Sequence, residues 1–390
     1  MPSASATVLA DPAVESTEHG VDCYKLHPSL REGAVPKAGE LVVYLLGAGF
    51  SEPLGLPVMG TFFEKATDML RLNPDRYEYF KEVIALRDRF AAVRSYFKAE
   101  LLNIEELLSM YQMEAELAKR SPGDLAERFV RDVVTYYTPR WAPPAASRPA
   151  NWWDAMWGDS ANAAEYGGFI GSLLRLEVSG TATIAPAPSQ NGEPSYGVLT
   201  LNYDRVLESL CENASGYVST PEGVAFATGS PTARHATPLI KLHGDVAEGH
   251  LVPPTWGKDL DQAVLPAWQA AYALLAEASH VRVIGYSLPP ADHRVELLLK
   301  TALAKTRYLK KLDVICLDDG QVRKRYEALV DPSFRGFRFS SVSTSSYLSA
   351  LRRENEETSA LKRVISGLSA RPFARFERAH EKFFSAGPHA

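Results

Sequence analysis

The strongest structural signal in the sequence is the apolar run Leu41-Val42-Val43-Tyr44-Leu45-Leu46, which stops at Gly47-Ala48-Gly49. A run of this length, rich in β-branched residues and ended by glycine, is typical of a strand buried on both faces. Such strands occur in parallel sheets that helices cover on both sides. The run therefore predicts one strand of a parallel, helix-covered sheet.

The second half of the chain repeats this signal. Its further apolar segments are Tyr196–Thr200, Leu239–Leu242, Val281–Tyr286 and Leu312–Leu317. Helical patterns precede the last two of them, at about 262–278 and 292–305. Alternation of strands and helices favours parallel pairing, so the sequence predicts an α/β fold with an open parallel sheet.

The composition argues against a disordered chain, a collagen-like repeat and a disulfide-stapled miniprotein. The chain has 390 residues, a net charge of −5 and 46% hydrophobic residues, which are ordinary values for a globular protein. The slight negative charge predicts no direct binding to nucleic acid or to an anionic membrane. The longest largely apolar run, at 41–50, is far shorter than the ~20 residues that span a bilayer.

Cysteine usage points to a reducing compartment. Cys23, Cys211 and Cys316 are far apart and form no Cys-x-x-Cys pair, so we expect neither a disulfide framework nor a zinc site. The first positive charge is Lys25, so the N-terminus lacks the basic start of a secretory signal. These features predict a cytoplasmic protein.

Four segments are distinguished along the chain. Residues 1–38 show no clear period and are interpreted as a loosely ordered arm, or as a segment that orders on a partner. Residues 39–350 hold the predicted sheet, and 58–180 form a helical insert within it. In that insert, Leu125, Phe129 and Val133 share one helical face. Residues 351–390 carry an excess of basic side chains and predict one or two surface helices with a docking surface.

The glycine-rich loop after the first strand is the first candidate site. In Gly47-Ala48-Gly49-Phe50-Ser51, closely spaced glycines let backbone N–H groups approach a diphosphate. The alternative is a tight strand exit without a ligand. Glu52 stands where a dinucleotide fingerprint would have its third glycine.

Polar residues also follow the next two strands. In Thr200-Leu201-Asn202-Tyr203-Asp204, the Asn amide can hold a carboxamide or a water, and the Asp carboxylate can accept hydrogen bonds from a ribose. Alternatively, Asn202 and Asp204 only cap the helix that begins near Arg205. His243 follows the next strand, and with a pKa near ~6.5 it can act as a base at cellular pH. A structural histidine is the alternative.

The last two strands end in similar segments. Ser287, in Gly285-Tyr286-Ser287-Leu288-Pro289-Pro290, can hydrogen-bond a phosphate or a ribose. Asp318, in Leu317-Asp318-Asp319-Gly320, can accept from the ribose of an adenosine. Turn chemistry is the alternative for both, because Pro, Gly and Asp all favour turns.

Together these segments resemble, in the same order, the motifs of the sirtuin family, and most closely its bacterial SIR2-like branch. The resemblance spans about 41–320 but does not match the helical stretch 58–180 motif by motif. The segments that carry it are Gly47–Ser51 with Gly55-Leu56-Pro57, Thr200–Asp204, Lys241-Leu242-His243-Gly244, Pro254-Thr255-Trp256-Gly257-Lys258 and Gly285–Asp292.

The resemblance implies a Rossmann-like fold in which 39–350 is a SIR2-like NAD-binding domain. It implies that Gly47, Ala48, Gly49, Phe50 and Ser51 hold the diphosphate of NAD⁺. It further implies binding of the adenosine side by Gly285, Ser287 and Asp318, and of the nicotinamide ribose by Thr200, Asn202 and Asp204. His243, Asn202 and Asp204 would then be the catalytic residues.

Two departures from the family pattern matter. Protein-deacylating sirtuins carry two zinc-binding Cys-x-x-Cys pairs, and this chain has none. They also continue the Gly-Ile-Pro segment with Asp-Phe-Arg, whereas Gly55-Leu56-Pro57 is followed here by Val58-Met59-Gly60. Both departures weigh against protein deacylation and against zinc. They fit the branch that hydrolyses NAD⁺ in bacterial anti-phage defence by abortive infection.

We therefore expect an NAD⁺ glycohydrolase (NADase) that uses NAD⁺ as substrate and releases nicotinamide and ADP-ribose. The resemblance also implies a homo-oligomer and a partner such as a HerA-type ATPase, an Argonaute or a phage-derived trigger. Two alternatives stay open. One is a non-catalytic module that senses NAD⁺ or ADP-ribose, and the other is an NAD-dependent protein deacylase or ADP-ribosyltransferase.

Overall fold

The computed structural model of the protein describes residues 39–92, 103–119, 124–141, 157, 161–179, 183–186, 194–217, 225–228, 237–247, 250–251, 263–306, 308–356 and 376–386. The predicted arm at 1–38, which includes Cys23, lies outside these residues, as does the motif Pro254–Lys258. Within the described part, no helix combines the length and the apolar character needed to cross a lipid bilayer.

A seven-stranded sheet organises the described residues. Its strands are β1 (Leu41–Leu46), β4 (Ser195–Thr200), β5 (Ala227–Thr228), β6 (Pro238–Lys241), β9 (His280–Ile284), β10 (Lys311–Ile315) and β11 (Phe337–Ser340). Their spatial order is β11-β10-β9-β1-β4-β6-β5, and each neighbouring pair runs parallel. This confirms the predicted α/β, Rossmann-like open parallel sheet.

Two small antiparallel pairs accompany the sheet. β2 (Leu176–Ser179) pairs with β3 (Thr183–Pro186). β7 (Gly244–Asp245) pairs with β8 (His250–Leu251), directly after His243.

Helices cover both faces of the sheet. One face carries α6 (Ala161–Leu173), α7 (Val206–Ser215), α11 (Thr344–Glu356) and α12 (Phe376–Ser385). The other carries α8 (Leu265–Ala276), α9 (His293–Leu303) and α10 (Val322–Glu327). Side chains of β1 alternate between them: Val42 and Tyr44 pack into the first core, and Val43 and Leu45 into the second. The strand is thus buried on both faces, as its apolar run predicts.

The insert after the first strand is helical. It contains α2 (Phe62–Leu72), α3 (Phe80–Ala92), α4 (Ile104–Leu117), α5 (Leu125–Tyr137) and α6, and it follows the short helix α1 (Ala48–Ser51) of the glycine-rich loop. Its packing centres on Phe129 of α5, whose ring centroid lies 5.8 Å from that of Phe62 and 4.6 Å from that of Phe80. The predicted apolar face of α5 is therefore the face that packs against the other helices.

The C-terminal helix α12 differs from the surface helix expected there. Phe376, Ala379 and Phe383 lie in the first core, because their spacing places them on one helical face. The predicted domain boundary at residue 350 falls inside α11. The described C-terminal helices are thus part of the helical layer on one face of the sheet.

A buried ionic network also ties α12 to the sheet. Arg282, in the middle of β9 and 0% exposed, donates to both carboxylate oxygens of Glu377 at 2.9 and 2.5 Å. Tyr196 donates to the same carboxylate at 2.9 Å, and Arg282 donates to the hydroxyl of Tyr44 at 2.5 Å. Four side chains from three strands and one helix are therefore joined by hydrogen bonds inside the first core, although the buried Nε of Arg282 has no partner among them.

Candidate functional site

The order of the strands includes a switch point, where the chain stops adding strands on one side of β1 and starts adding them on the other. From β1 the chain moves outward through β4 to the edge strand β5, steps back to β6, and then crosses to β9 on the other side of β1. In open α/β sheets, ligands bind at the carboxyl ends of the strands beside such a switch point. Here those ends belong to β1, β4 and β9, with β6 next to them.

The glycine-rich loop packs directly against the end of β9. Gly47 N–H donates to the carbonyl of Ile284 at 3.0 Å, and Gly49 N–H donates to that of Gly285 at 2.8 Å. A Cβ on Gly49 would lie 2.9 Å from the Gly285 carbonyl oxygen. Gly285 itself has φ +64°, and a Cβ there would lie 2.2 Å from the nitrogen of Phe50. Close approach of two strand ends therefore requires these glycines, and it occupies two of the loop's N–H groups.

Asn202 connects the end of β4 to the same loop. Its side-chain Nδ2 donates to the carbonyl of Gly47 at 3.0 Å and to Ser51 Oγ at 3.1 Å. Its backbone N–H donates to Thr200 Oγ1 at 3.1 Å. Both protons of the amide are thus directed at the loop, so Asn202 can offer its carbonyl oxygen Oδ1 to a ligand.

Asp204 both accepts a hydrogen bond from the protein backbone and lines the candidate site. Its Oδ1 accepts from the backbone N–H of Val206 at 3.0 Å, at the start of α7. Burial raises the pKa of Asp204 above its ordinary value, while Lys241, the Val206 N–H and Ser51 act in the opposite direction. The capping alternative thus accounts for part of what Asp204 does.

Lys241, the last residue of β6, holds the neighbouring strand ends together. Its Nζ donates to the backbone carbonyl of Asp204, to Glu208 at 3.0 Å and to Asp245 at 2.8 Å. Its side chain is largely buried. One cation therefore links the segment that carries Asp204 to the segment that carries His243.

His243 is held as a neutral side chain. It is 6% exposed, and burial lowers its pKa, although Asp292 and a hydrogen bond with the backbone of Leu201 raise it. Its ring lies between that of Tyr203, at 6.0 Å, and that of Trp268, at 6.4 Å with an interplanar angle of 30°. When one ring nitrogen donates to the Leu201 carbonyl, the other is left as an acceptor.

These residues surround a cavity of about 320 Å³ at the sheet edge. The predicted site residues that line it are Ala48, Gly49, Ser51, Asn202, Asp204, His243, Gly285 and Ser287. Its other side is apolar and comes from the insert, through Phe62 of α2, Ile104 and Leu108 of α4, and Val130 and Val134 of α5.

Four predicted site residues lie outside that lining. Gly47 and Thr200 bond to other parts of the protein at the strand ends, as described above. Phe50 is buried in the first core. Asp318 accepts from the N–H groups of Gly320 and Val322, both at 2.9 Å, and so caps α10. For Asp318 the structure shows the turn chemistry that was the alternative.

The sequence did not single out several residues of the site. Asp292, Tyr203 and Cys316 line the cavity, and Trp268 stacks on His243. Asp292 is the last residue of the motif that begins at Gly285, directly after β9. Its place in a motif at a strand end was the signal that could have identified it. The apolar wall had no such signal, because its residues come from helices whose contacts are distant in sequence.

Among the described residues, no three His, Cys, Asp or Glu side chains lie close enough together to hold an ion. Cys211 and Cys316 are buried free thiols. Burial raises the pKa of Cys316 to about 11, so its thiol is protonated at neutral pH.

Solved structures and a family model resemble parts of this chain. Two solved structures are similar: a SIR2 protein in complex with an inhibitor, 2′-O-acetyl-ADP-ribose and a deacetylated p53 peptide, and Sir2Tm bound to a propionylated peptide. Each is 14% identical to this chain and has a TM-score of 0.29, with 81% of this chain and 94% or 93% of the other covered. No curated protein matches the chain. Residues 197–331 match the family model of the SIR2-like domain, and this region contains Asn202, Asp204 and His243.

Proposed function

We propose that the protein hydrolyses NAD⁺ at the bond between nicotinamide and ribose, and releases nicotinamide and ADP-ribose. One observation carries this proposal: Asn202, Asp204 and a neutral His243 converge on one cavity at the switch point of the sheet. The similarity of residues 197–331 to the SIR2-like domain supports NAD-dependent chemistry in general.

His243 would act as the base. A water oxygen attacks C1′ of the ribose, the C1′–nitrogen bond breaks, and nicotinamide leaves as a neutral molecule with the bonding electrons. The proton of the water passes to the acceptor nitrogen of His243. A positioned base contributes roughly 10²–10⁴-fold to such a step. Since burial lowers the pKa of His243, the base is available at neutral pH.

Asn202 and Asp204 would act on the reacting ribose. The transition state of glycosidic cleavage carries positive charge on the sugar. A carboxylate held near it, as Asp204 would be, offsets that charge without having to reorganise. Asn202 would hold the attacking water or a ribose hydroxyl through Oδ1, because its amide protons bond to Gly47 and Ser51.

The remaining predicted residues would bind the rest of NAD⁺. Ala48, Gly49 and Ser51 would lie along the diphosphate, and Gly285 and Ser287 along the adenosine side. The N–H groups of Gly47 and Gly49 already donate to the end of β9. The diphosphate would therefore accept hydrogen bonds from other N–H groups of the loop. Asp318 would reach a ribose only through Oδ2, since its Oδ1 caps α10.

A turnover assay tests the proposal. The purified protein is incubated with NAD⁺, and nicotinamide and ADP-ribose are measured by chromatography. We expect His243→Ala and Asn202→Ala to lose about 100-fold or more of the wild-type rate. His293→Ala is the matched control, because that histidine is exposed. Unchanged turnover in the first two variants would overturn the assignment.

Two other outcomes would favour the alternatives. Nicotinamide release that depends on an acylated peptide would indicate a deacylase or transferase. Calorimetric binding of NAD⁺ without any product, with candidate partners present, would indicate a sensing module.

The proposal includes a role in anti-phage defence within the cytoplasm. Unregulated loss of NAD⁺ would kill the host, so we propose that a homo-oligomer, a HerA-type ATPase, an Argonaute or a phage-derived trigger switches the activity on. Turnover is to be measured alongside oligomeric state by light scattering, with and without such partners. A monomer that is fully active at physiological concentration would contradict this regulation.

A further inference from the structure

Asp292 is a buried carboxylate that the proposed hydrolysis does not use. It ends a short 3₁₀ turn, Pro290–Asp292, just before α9. Its side chain lines the cavity, yet the residue is only 5% exposed. Tyr286 donates its hydroxyl proton to Asp292 Oδ2 at 2.6 Å.

The segment that presents Asp292 is held in a fixed shape. Tyr326 donates to the backbone carbonyl of Tyr286 at 2.8 Å, and Arg325 donates to that of Ser287 at 2.9 Å. Leu288 is buried with φ +50°, a conformation that non-glycine residues adopt only where their surroundings enforce it. The position of Asp292 is therefore set before a ligand arrives.

The charge of Asp292 lacks a cationic partner within the described part of the chain. No Lys or Arg there forms an ion pair with it, whereas Asp204 is close to Lys241. Asp292 and His243 line the same cavity, and the carboxylate of Asp292 raises the pKa of His243. His243 is itself kept neutral by burial. Since an unpaired buried carboxylate is costly, a cationic group of a ligand would be favoured beside it.

We propose that Asp292 selects the oxidised, positively charged nicotinamide ring over the neutral reduced ring. This inference rests on the proposed function, because it takes a nicotinamide dinucleotide as the ligand. The pyridinium of NAD⁺ carries one positive charge, and the dihydropyridine of NADH carries none. Asp292 thus determines specificity for the redox state of the ligand.

Calorimetry with three ligands tests this assignment. The cationic probe is carba-NAD⁺, in which a methylene replaces the ribose ring oxygen so that the nicotinamide bond is stable. NADH is the neutral probe, and ADP-ribose lacks the ring altogether. For a charge–charge contact of several ångströms at a partly buried site, we expect the wild type to bind carba-NAD⁺ roughly 10- to 100-fold more tightly than NADH.

Three variants isolate the charge. Asp292→Asn keeps the shape of the side chain and should bring the affinities for carba-NAD⁺ and NADH within about threefold of each other. Tyr286→Phe keeps the carboxylate and should keep the preference. Asp75→Asn is the matched control, because it makes the same change of charge at an exposed residue.

The outcomes separate this inference from the proposed function. If the wild type binds all three ligands but Asp292→Asn keeps the preference, the assignment is overturned. It is also overturned if Asp292→Asn weakens all three ligands by the same factor, because that result indicates a ribose contact. If the wild type binds none of the three, the proposed function fails and this inference fails with it.

Discussion

Replacing Glu377 by leucine should destabilise the protein more than most single substitutions. The change leaves Arg282, which is 0% exposed, without its carboxylate partner inside the first core. Two hydrogen bonds from Arg282 and one from Tyr196 are lost together. Removing one member of a buried ion pair costs about 3–5 kcal/mol, because the remaining charge is uncompensated.

The measurement is urea unfolding followed by circular dichroism. With a slope of about 3 kcal/mol per molar urea, the expected loss moves the midpoint down by roughly 1 to 1.7 M. Glu327→Gln is the control, because Glu327 pairs with Arg323 at 2.8 Å on the surface. Exposed pairs of that kind contribute about 0–1 kcal/mol, so its midpoint should hardly move.

A double variant checks the physical reason. Arg282→Met combined with Glu377→Leu removes both charges and fills the space with apolar atoms. Replacing a whole buried pair in this way is often neutral or stabilising. Tyr196 still loses an acceptor, which costs about 1–3 kcal/mol, so the double variant should lie between the single variant and the wild type. A single variant that loses less than about 1 kcal/mol, or a double variant that is no more stable than it, would refute the reasoning.

Three further predictions concern the site. Because burial lowers the pKa of His243, kcat/KM should be level from pH 7 to 8 and fall only below the ordinary histidine value of about 6.5; an acid limb above pH 7 would contradict this. Because burial raises the pKa of Cys316 to about 11, iodoacetamide at pH 7.5 should label this thiol far more slowly in folded than in urea-unfolded protein, measured by mass spectrometry of its peptide; equal rates would exclude a buried thiol. Gly285→Ala should lower the melting temperature and abolish NAD⁺ binding, since its Cβ would lie 2.2 Å from the nitrogen of Phe50, whereas Gly60→Ala meets open space and should change neither.

The central strands were predictable because they are locally marked. β1 is a single apolar run ended by glycine, and the structure has it at Leu41–Leu46 as expected. β4, β6, β9 and β10 agree with their predicted segments to within one or two residues at each end. β5 has only two residues and β11 is half-buried, so neither carries a comparable apolar run.

The C-terminal helix was harder to predict because its partners are distant in sequence. Phe376, Ala379 and Phe383 alternate with charged residues, a pattern that suits either a surface helix or a packed one. What decides the matter is Glu377, whose partner Arg282 is a charged residue in the middle of an apolar strand. Only the folded arrangement shows that these opposite charges meet.

The site was predictable where chemistry follows a strand end. Asn202, Asp204 and His243 each follow a strand, and the parallel sheet brings all three to one cavity. The same reasoning placed Asp318 at an adenosine, but it could not show that the first helical turn of α10 uses this carboxylate as a cap. Whether such a carboxylate binds a ligand or caps a helix depends on the conformation of the local turn. The spacing of residues in the sequence does not determine that conformation.

The packing of Gly49 against Gly285 has a consequence for how the protein acquires its site. These residues are far apart in the chain, yet each forms part of the surface that the other needs. During synthesis, the glycine-rich loop leaves the ribosome long before β9 exists. Long-range pairing of this kind is slow, because the entropy of closing a long loop must be lost before the contact forms. A partly synthesised or truncated chain that ends before β9 therefore lacks one wall of the cavity, and the proposed binding of NAD⁺ would report that the ends of β1 and β9 have come together.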